Sequence, residues 1–143
     1  KVVNLSLGTD STVHRPLLEA ACQKAADGGI IIVASGEAGR FHYPAALPMV
    51  IGVAMDPDYP PGHFSYKEGD PVEFRACGWP RRLPGIPQVR NLRGPSFASA
   101  HIAALCALVA EENPEADVYK IRGMLRERSF PPRSECLQKE VMV

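Results

Sequence analysis

Residues 16–36, PLLEAACQKAADGGIIIVASG, decide the fold class because a glycine pair joins a helix pattern to a strand pattern. Apolar side chains recur at helical spacing over Pro16–Asp27, and the pair Gly28-Gly29 is a typical helix stop. The apolar run Ile30–Ala34 is short and rich in β-branched residues, which predicts a strand covered on both faces.

Two further apolar runs of the same kind flank this unit. Val2–Leu7 precedes the helix, and Val50–Ala54 follows the second strand. A strand, a helix and a strand in succession predict parallel pairing through a right-handed crossover. Clefts in such sheets open at the carboxyl ends of the strands, where Gly8 and Gly36 lie. The sequence therefore predicts an α/β fold with a cleft at this edge.

The remaining sequence fits the same single domain, which is expected to span the whole chain, residues 1–143. Met55–Arg93 is rich in proline and glycine, with one expected strand at Val72–Ala76. A helix at Phe97–Ala110 is expected to be buried nearly all round, and a second, amphipathic helix is expected at about 117–128. The core is expected at residues 1–128, with 129–143 as a tail.

Composition restricts the partners. With 45% hydrophobic and 22% charged residues, the chain has enough apolar content for one core. Its 16 basic and 16 acidic residues cancel, so no global field favours a nucleic acid or a membrane surface. No apolar run or leader pattern predicts a spanning helix or a signal peptide. The start at Lys1, directly before a strand, indicates a truncated or processed chain.

The cysteines show neither Cys-x-x-Cys nor Cys/His metal spacing, so we expect no metal and no cofactor. Cys22 and Cys106 are expected to be small buried hydrophobic residues, and Cys77 a turn residue rather than a nucleophile. Because the cysteines are scattered without a pairing pattern, they slightly favour a reducing compartment, but their even count leaves disulfides possible. The fourth cysteine is Cys136. The cellular location stays open.

The stretch GPSFASAH, residues 94–101, places a serine on the first turn of the predicted apolar helix. A hydroxyl there lies beside unpaired backbone N–H groups and the positive end of the helix dipole, which stabilise an oxyanion. Ser96 is therefore a candidate nucleophile. The alternative is an ordinary helix N-cap, for which Gly-x-Ser is also typical.

Four ordered segments, over about residues 1–125, resemble the C-terminal part of the subtilisin-like serine protease (subtilase) catalytic domain. KVVNLSLG (1–8) is similar to the family's strand ending in Asn-x-Ser-Leu-Gly, and GIIIVASGEAG (29–39) to its buried strand and glycine loop. YPAALPMVIGV (43–53) is similar to its Tyr-Pro-Ala segment, and Ser96 falls at the nucleophile of Gly-Thr-Ser-Met-Ala-x-Pro-His. The resemblance implies a three-layer fold with a mostly parallel sheet, incomplete in this chain.

The resemblance also implies functional roles. Ser96 would attack a peptide carbonyl, and the catalytic aspartate and histidine would come from an upstream segment, because in the family they precede the strand that resembles residues 1–8. A peptide or protein substrate would pair with two strand ends. Those substrate-binding positions are Ser6, Leu7, Gly8, Ala34, Ser35 and Gly36.

Three positions depart from the family pattern. Glu37 occupies the position of the asparagine that donates a hydrogen bond to the oxyanion, and an ionised carboxylate has no proton to donate. A protonated Glu37 in an apolar cleft would be a donor, and would favour activity at acidic pH. Pro95 replaces a threonine and Ala100 a proline. Two hypotheses follow: an endopeptidase when completed by upstream residues, or an inert homologue that binds peptides or is structural.

Other histidines and acids offer weak local alternatives for a base. Asp10 and His14 are interpreted mainly as helix-capping or exposed residues rather than as base and orienter. His101 lies about 140° round the helix from the serine, which predicts internal packing. His42 and His63 are expected to be surface histidines.

Arginines concentrate shortly before the candidate nucleophile, at Arg81, Arg82, Arg90 and Arg93. Three interpretations are open: a positively charged surface that favours acidic substrate residues, a proteolytic processing site at Arg81-Arg82, or loop charge that is simply exposed to solvent.

Two rival motifs are excluded. The α/β-hydrolase elbow requires Gly-x-Ser-x-Gly, and here the last position is Ala98. The run Ser35–Gly39 lacks the Lys-Ser/Thr ending of a P-loop and the spacing of a dinucleotide site.

Overall fold

The computed structural model describes residues 1–131, so Cys136 and most of the predicted tail lie outside the described residues. The elements follow in the order β1 (Val2–Leu5), α1 (Arg15–Asp27), β2 (Ile31–Ser35), β3 (Val50–Asp56), β4 (Phe64–Tyr66), β5 (Phe74–Cys77), α2 (Pro95–Glu112) and α3 (Val118–Arg128). A short 3-10 turn at Gln88–Arg90 precedes α2.

The strands form one sheet in the order β1-β2-β3-β5-β4. The first four strands in that order pair in parallel, and β4 runs antiparallel to β5 at the far edge. This mostly parallel sheet confirms the predicted α/β class. The sequence prediction missed β4, a three-residue strand, because so short a run carries no readable alternation.

Helices cover both faces of the sheet and so produce three layers. On one face, Ile51, Phe74, Ile102, Ile121 and other buried residues of β2, β3, β5, α2 and α3 form a core cluster. On the other face, α1 contributes Cys22 to a second cluster that includes alternate residues of β2 and β3. Because β2 is buried along its whole length, it shows the continuous apolar run typical of a strand with both faces covered.

Two expectations about burial are wrong, one for strand β1 and one for helix α2. β1 is the edge strand of the described sheet, and Val3 and Asn4 are exposed, so this strand is not covered on both faces. α2 is not buried all round, since Ala104 and Leu108 are exposed. Both departures have one physical reason: within residues 1–131, no strand pairs with the outer edge of β1 and no element covers the outer face of α2.

Buried positions of α2 are Ala98, Ser99, Ile102, Cys106 and Val109. Small side chains among them let the helix lie close to the sheet. Among residues 1–131, no helix combines the length and the apolar character that a membrane span requires.

Candidate active site

The carboxyl ends of four parallel strands meet at one edge of the sheet. The strand registers place Leu5, Ser35, Asp56 and Cys77 at the ends of β1, β2, β3 and β5. Loops that leave these ends therefore lie along one side of the molecule, which is where ligands bind in open α/β sheets.

The start of α2 is fixed at this edge. Gly94, immediately before the helix, donates a 2.9 Å backbone hydrogen bond to the carbonyl of Gly78, the residue after β5. Nearly two turns into the helix, Nδ1 of His101 lies 3.0 Å from the carbonyl oxygen of Cys77. Ser96 follows Gly94 by two residues, so it lies on the first helical turn beside the carboxyl end of β5. It is half-buried.

Within residues 1–131, no described hydrogen bond includes the Ser96 Oγ, so no side chain is bonded to that hydroxyl as a general base. The carbonyl oxygen of Ser96 accepts a 3.0 Å bond from Ser99 Oγ, which secures the first turn. His101 contacts the Cys77 carbonyl through Nδ1 and packs half-buried, as its helical position predicts. Asp10 and His14 are both exposed in the loop before α1, and no described contact joins either of them to Ser96.

The loop after β2 carries Glu37. The amide of Gly36 donates a 2.8 Å bond to the carbonyl of Val53 and so extends the pairing of β2 with β3 by one residue. Directly afterwards the chain becomes exposed. Glu37 is 58% exposed and lies 3.2 Å from Arg40, so the apolar surroundings that a protonated donor requires are absent among residues 1–131.

A second loop lies against this one. Thr9 and Tyr43 exchange backbone hydrogen bonds of 2.8 Å and 2.7 Å, which hold the segment after β1 beside the segment that follows Arg40. A side chain in place of Gly8 would collide with the imidazole of His42, so a larger residue there would have to displace the His42 ring.

An open cleft of about 640 Å³ lies between these loops. Its lining is mostly polar and includes both signs of charge. It consists of Gly8, Thr9, Asp10, Glu37, Arg40, Phe41 and His42.

Buried ionic contacts of Asp70 and Arg75 hold the loop that carries Glu37 in place. Asp70 accepts bonds from the amides of Gly39 and Val72, at 3.0 Å and 3.1 Å, and lies 2.5 Å from the guanidinium of Arg75. Burial alone would raise the pKa of Asp70, but the two amide bonds and the Arg75 charge outweigh it and lower the pKa. The carboxylate thus ties the glycine loop to the turn before β5.

The predicted substrate-binding residues fall into two groups. Ser6, Leu7 and Gly8 are exposed at the strand end, where they are accessible to a peptide. The segment Ala34–Gly36 is buried, and the Gly36 amide is already bonded to Val53. Substrate pairing at both strand ends stays a prediction.

Two histidine expectations are wrong. His42 is half-buried at the cleft, and His63 is half-buried and stacks on Phe130 with ring centroids 3.8 Å apart. The expected burial of Cys22 and Cys106 is confirmed. Burial raises the pKa of the Cys106 thiol to about 12, so the thiol stays protonated at neutral pH. Cys77 is also buried.

Sequence reasoning missed two residues of this region. Arg40 was detectable in principle, since it follows Glu37 by three residues. Asp70 had no local signal, because the amide of Gly39 that it binds lies 31 residues earlier in the chain.

Comparison with known proteins identifies the family. The model of the subtilase family matches residues 1–135. The chain belongs to the subtilase family. Over 131 residues it is 35% identical to M-protease of Shouchella clausii and to subtilisin Savinase of Lederbergia lenta. These matches cover 87% of this chain but 33% and 47% of the two relatives, so this subtilase chain spans a third to a half of their length.

Solved structures share the subtilase fold. A cold-adapted subtilisin-like serine proteinase matches with a TM-score of 0.65 and 22% identity, over 89% of this chain and 47% of that one. Sphericase matches with a TM-score of 0.64 and 25% identity, over 89% of this chain and 48% of that one. The architecture is therefore that of a partial three-layer subtilisin-like fold.

Proposed function

We propose that this chain supplies the nucleophile-bearing part of a subtilisin-like serine endopeptidase that is completed by an upstream segment. The observation that carries the proposal is the bond between Gly94 and Gly78, which holds Ser96 at the carboxyl edge of the sheet. The Glu37 loop leaves the same edge from β2. Family membership supplies the reaction class, acyl transfer from a peptide to a serine hydroxyl.

In the proposed reaction, Ser96 Oγ forms a bond to the carbonyl carbon of the scissile peptide. A histidine from the upstream segment takes the hydroxyl proton, and an aspartate from that segment orients the histidine. The carbon–nitrogen bond then breaks as the histidine donates the proton to the leaving amine. Water, deprotonated by the same histidine, attacks the acyl-enzyme ester and releases the acid and Ser96.

The oxyanion of the intermediate needs hydrogen-bond donors. The backbone N–H of Ser96 lies on the first helical turn, where amides have no intrahelical acceptor, and it serves as one donor. The Glu37 carboxylate, already accepting a bond from Arg40, provides none. Loss of one side-chain donor costs about 3 to 4 kcal/mol of transition-state stabilisation, which corresponds to a slow peptidase.

The second candidate function is an inert peptide-binding or structural subtilase homologue. The exposed Glu37–Arg40 pair favours it, because the position of the side-chain donor holds an acceptor. The two functions differ in whether Ser96 reacts with a substrate.

The upstream segment is the main partner that the proposal requires. β1 presents an unpaired outer edge within residues 1–131, and an upstream strand would extend the parallel sheet there. The isolated 143-residue chain is expected to hydrolyse no peptide, because its described residues hold no base for Ser96.

The experiment compares hydrolysis of a quenched fluorescent peptide library by the full-length protein and by two serine variants. Ser96→Ala is expected to abolish hydrolysis. Ser129→Ala, at the end of α3, removes a hydroxyl that donates to the carbonyl of Arg126 within residues 1–131, and it is expected to leave the rate unchanged. Hydrolysis that survives in Ser96→Ala would refute Ser96 as the nucleophile, and absence of hydrolysis in all three proteins would favour the inert homologue.

A further inference from the structure

Positive charge is concentrated in the loop between β5 and α2, residues 79–93. The sequence holds no aspartate or glutamate between Glu73 and Glu111. The loop arginines are Arg81, Arg82, Arg90 and Arg93. Within residues 1–131, no ion pair includes any of them, so their charge is not neutralised by the described fold.

Internal contacts give this loop a defined shape. The guanidinium of Arg93 lies over the ring of Trp79, 5.4 Å from its centroid, and Trp79 Nε1 donates a 3.0 Å bond to the carbonyl of Pro57. Asn91 Nδ2 donates a 3.2 Å bond to the carbonyl of Arg81. Arg81, Arg82 and Arg93 are all exposed, and Arg93 in addition packs on the Trp79 ring.

A groove of about 300 Å³ lies beside these two arginines. Its apolar lining consists of proline and aromatic residues: Pro57, Tyr59, Pro60, Pro61, Trp79 and Pro80. Arg81 and Arg82 contribute two positive charges to the same lining, and Asp58 contributes one negative charge. The groove therefore combines rigid apolar rings with a net positive charge.

We propose that this groove and the adjacent arginines form a docking surface for an acidic polypeptide segment that carries an apolar side chain. The proline and aromatic rings bury the apolar side chain at small entropic cost, because they are already rigid. Exposed arginines attract flanking carboxylates and bind them in bidentate geometry.

The location connects this surface to Ser96. The bond from Gly94 to Gly78 closes the base of the loop two residues before the serine, so the loop that carries the arginines joins directly onto the helical turn that holds the candidate nucleophile. The docking surface holds an acidic polypeptide whether or not Ser96 cleaves it. If the docked segment belongs to a substrate, this surface would favour substrates that carry acidic residues beside the cleaved bond.

A polypeptide fits this surface better than a nucleic acid does. Single-stranded nucleic acids bind through aromatic rings on which bases stack, together with a continuous basic track. Here the one tryptophan is already covered by Arg93, and the two arginines of the groove, Arg81 and Arg82, do not form a continuous track.

The experiment measures binding in the full-length protein carrying Ser96→Ala, so that cleavage does not enter the result. The probe is a fluorescein-labelled peptide with a central leucine flanked by glutamates, and its affinity is measured by fluorescence anisotropy. Arg81→Gln combined with Arg82→Gln is expected to weaken binding about tenfold at low salt. Binding is also expected to weaken as salt is raised to about 0.5 M.

The matched control removes two exposed charges elsewhere, by Lys24→Gln on α1 and Lys120→Gln on α3, and is expected to leave the affinity unchanged. A peptide with serine in place of leucine, and one with lysines in place of the glutamates, are expected to bind more weakly. Equal binding of the acidic and basic peptides, or an unchanged affinity in the double arginine variant, would overturn the proposal. Tighter binding of a single-stranded oligonucleotide through the same arginines would overturn it too.

Discussion

The carboxylate of Glu37 accepts a 3.2 Å hydrogen bond from the guanidinium of Arg40, three residues along the same exposed loop. Exposed pairs of this kind contribute at most about 1 kcal/mol, so the contact orients the carboxylate without contributing much stability. Under the proposed function its importance is chemical, because the family resemblance assigns this position to an oxyanion donor and a carboxylate only accepts hydrogen bonds.

Replacement of Glu37 by asparagine is expected to increase the rate. An amide donates the hydrogen bond that a carboxylate lacks, so Glu37→Asn in the full-length protein should raise kcat by about a hundredfold with little change in KM. Initial rates with a fluorogenic peptide measure both constants.

The control is Glu68→Asn, since Glu68 is also an exposed glutamate paired with an arginine, Arg126, at 3.0 Å. It should leave kcat unchanged. Equal rates for Glu37→Asn and the unmodified protein would show that the loop does not face the oxyanion.

The ion pair between Asp70 and Arg75 is expected to stabilise the fold. Asp70→Asn removes the negative charge and leaves a largely buried guanidinium without its counter-ion, so the free energy of unfolding should fall by about 3 kcal/mol at neutral pH. Urea unfolding measures this loss. Glu68→Gln, which breaks an exposed pair, should cost less than about 1 kcal/mol.

The Asp70 contribution depends on pH in a defined direction. Its pKa is lowered in the folded protein, so the stabilisation is complete above the unfolded value of about 4 and is lost as pH falls through the folded value. The difference in unfolding free energy between the unmodified protein and Asp70→Asn should therefore shrink in acid. A difference independent of pH would contradict the ionic account.

Two glycine substitutions are expected to act in opposite directions. A Cβ at Gly52 would collide with the backbone carbonyl of Ala45. Because backbone atoms cannot move aside as the end of a flexible side chain can, Gly52→Ala should destabilise the fold by about 3 kcal/mol. Gly123 lies on the exposed side of α3 with nothing within 4 Å of such a Cβ. Gly123→Ala should stabilise by about 1 kcal/mol through helix propensity. Thermal unfolding with equal midpoints for both variants would refute this packing.

The Cys106 thiol is expected to be inert in the folded protein. It is completely buried and its pKa is raised to about 12, so little thiolate forms near neutral pH. Iodoacetamide at about pH 8 should leave Cys106 unlabelled until urea is added, as read by peptide mass mapping. Rapid labelling in the absence of urea would show that α2 does not pack on the sheet as described.

Much of the fold was predictable from local patterns. The helix α1 and the buried strands β2 and β3 have apolar runs and glycine stops that depend on a few neighbouring residues. The three-residue strand β4 and the exposure of β1 were not predictable, because both depend on which strand lies alongside.

The candidate site divides in the same way. Ser96 and Glu37 were identified from short motifs, whose local sequence is distinctive. The Asp70 contact to the Gly39 amide was not, since it joins segments far apart in the chain. The half-buried state of His63 likewise depends on Phe130, a residue distant in sequence.

The most direct test of the central claim is covalent labelling of the full-length protein with a fluorophosphonate probe, followed by mass mapping of the modified residue. Our account predicts one adduct on Ser96, retained in Ser129→Ala, lost in Ser96→Ala and formed faster in Glu37→Asn. Labelling at another serine, or an unlabelled Ser96 in both the unmodified protein and Glu37→Asn, would contradict it.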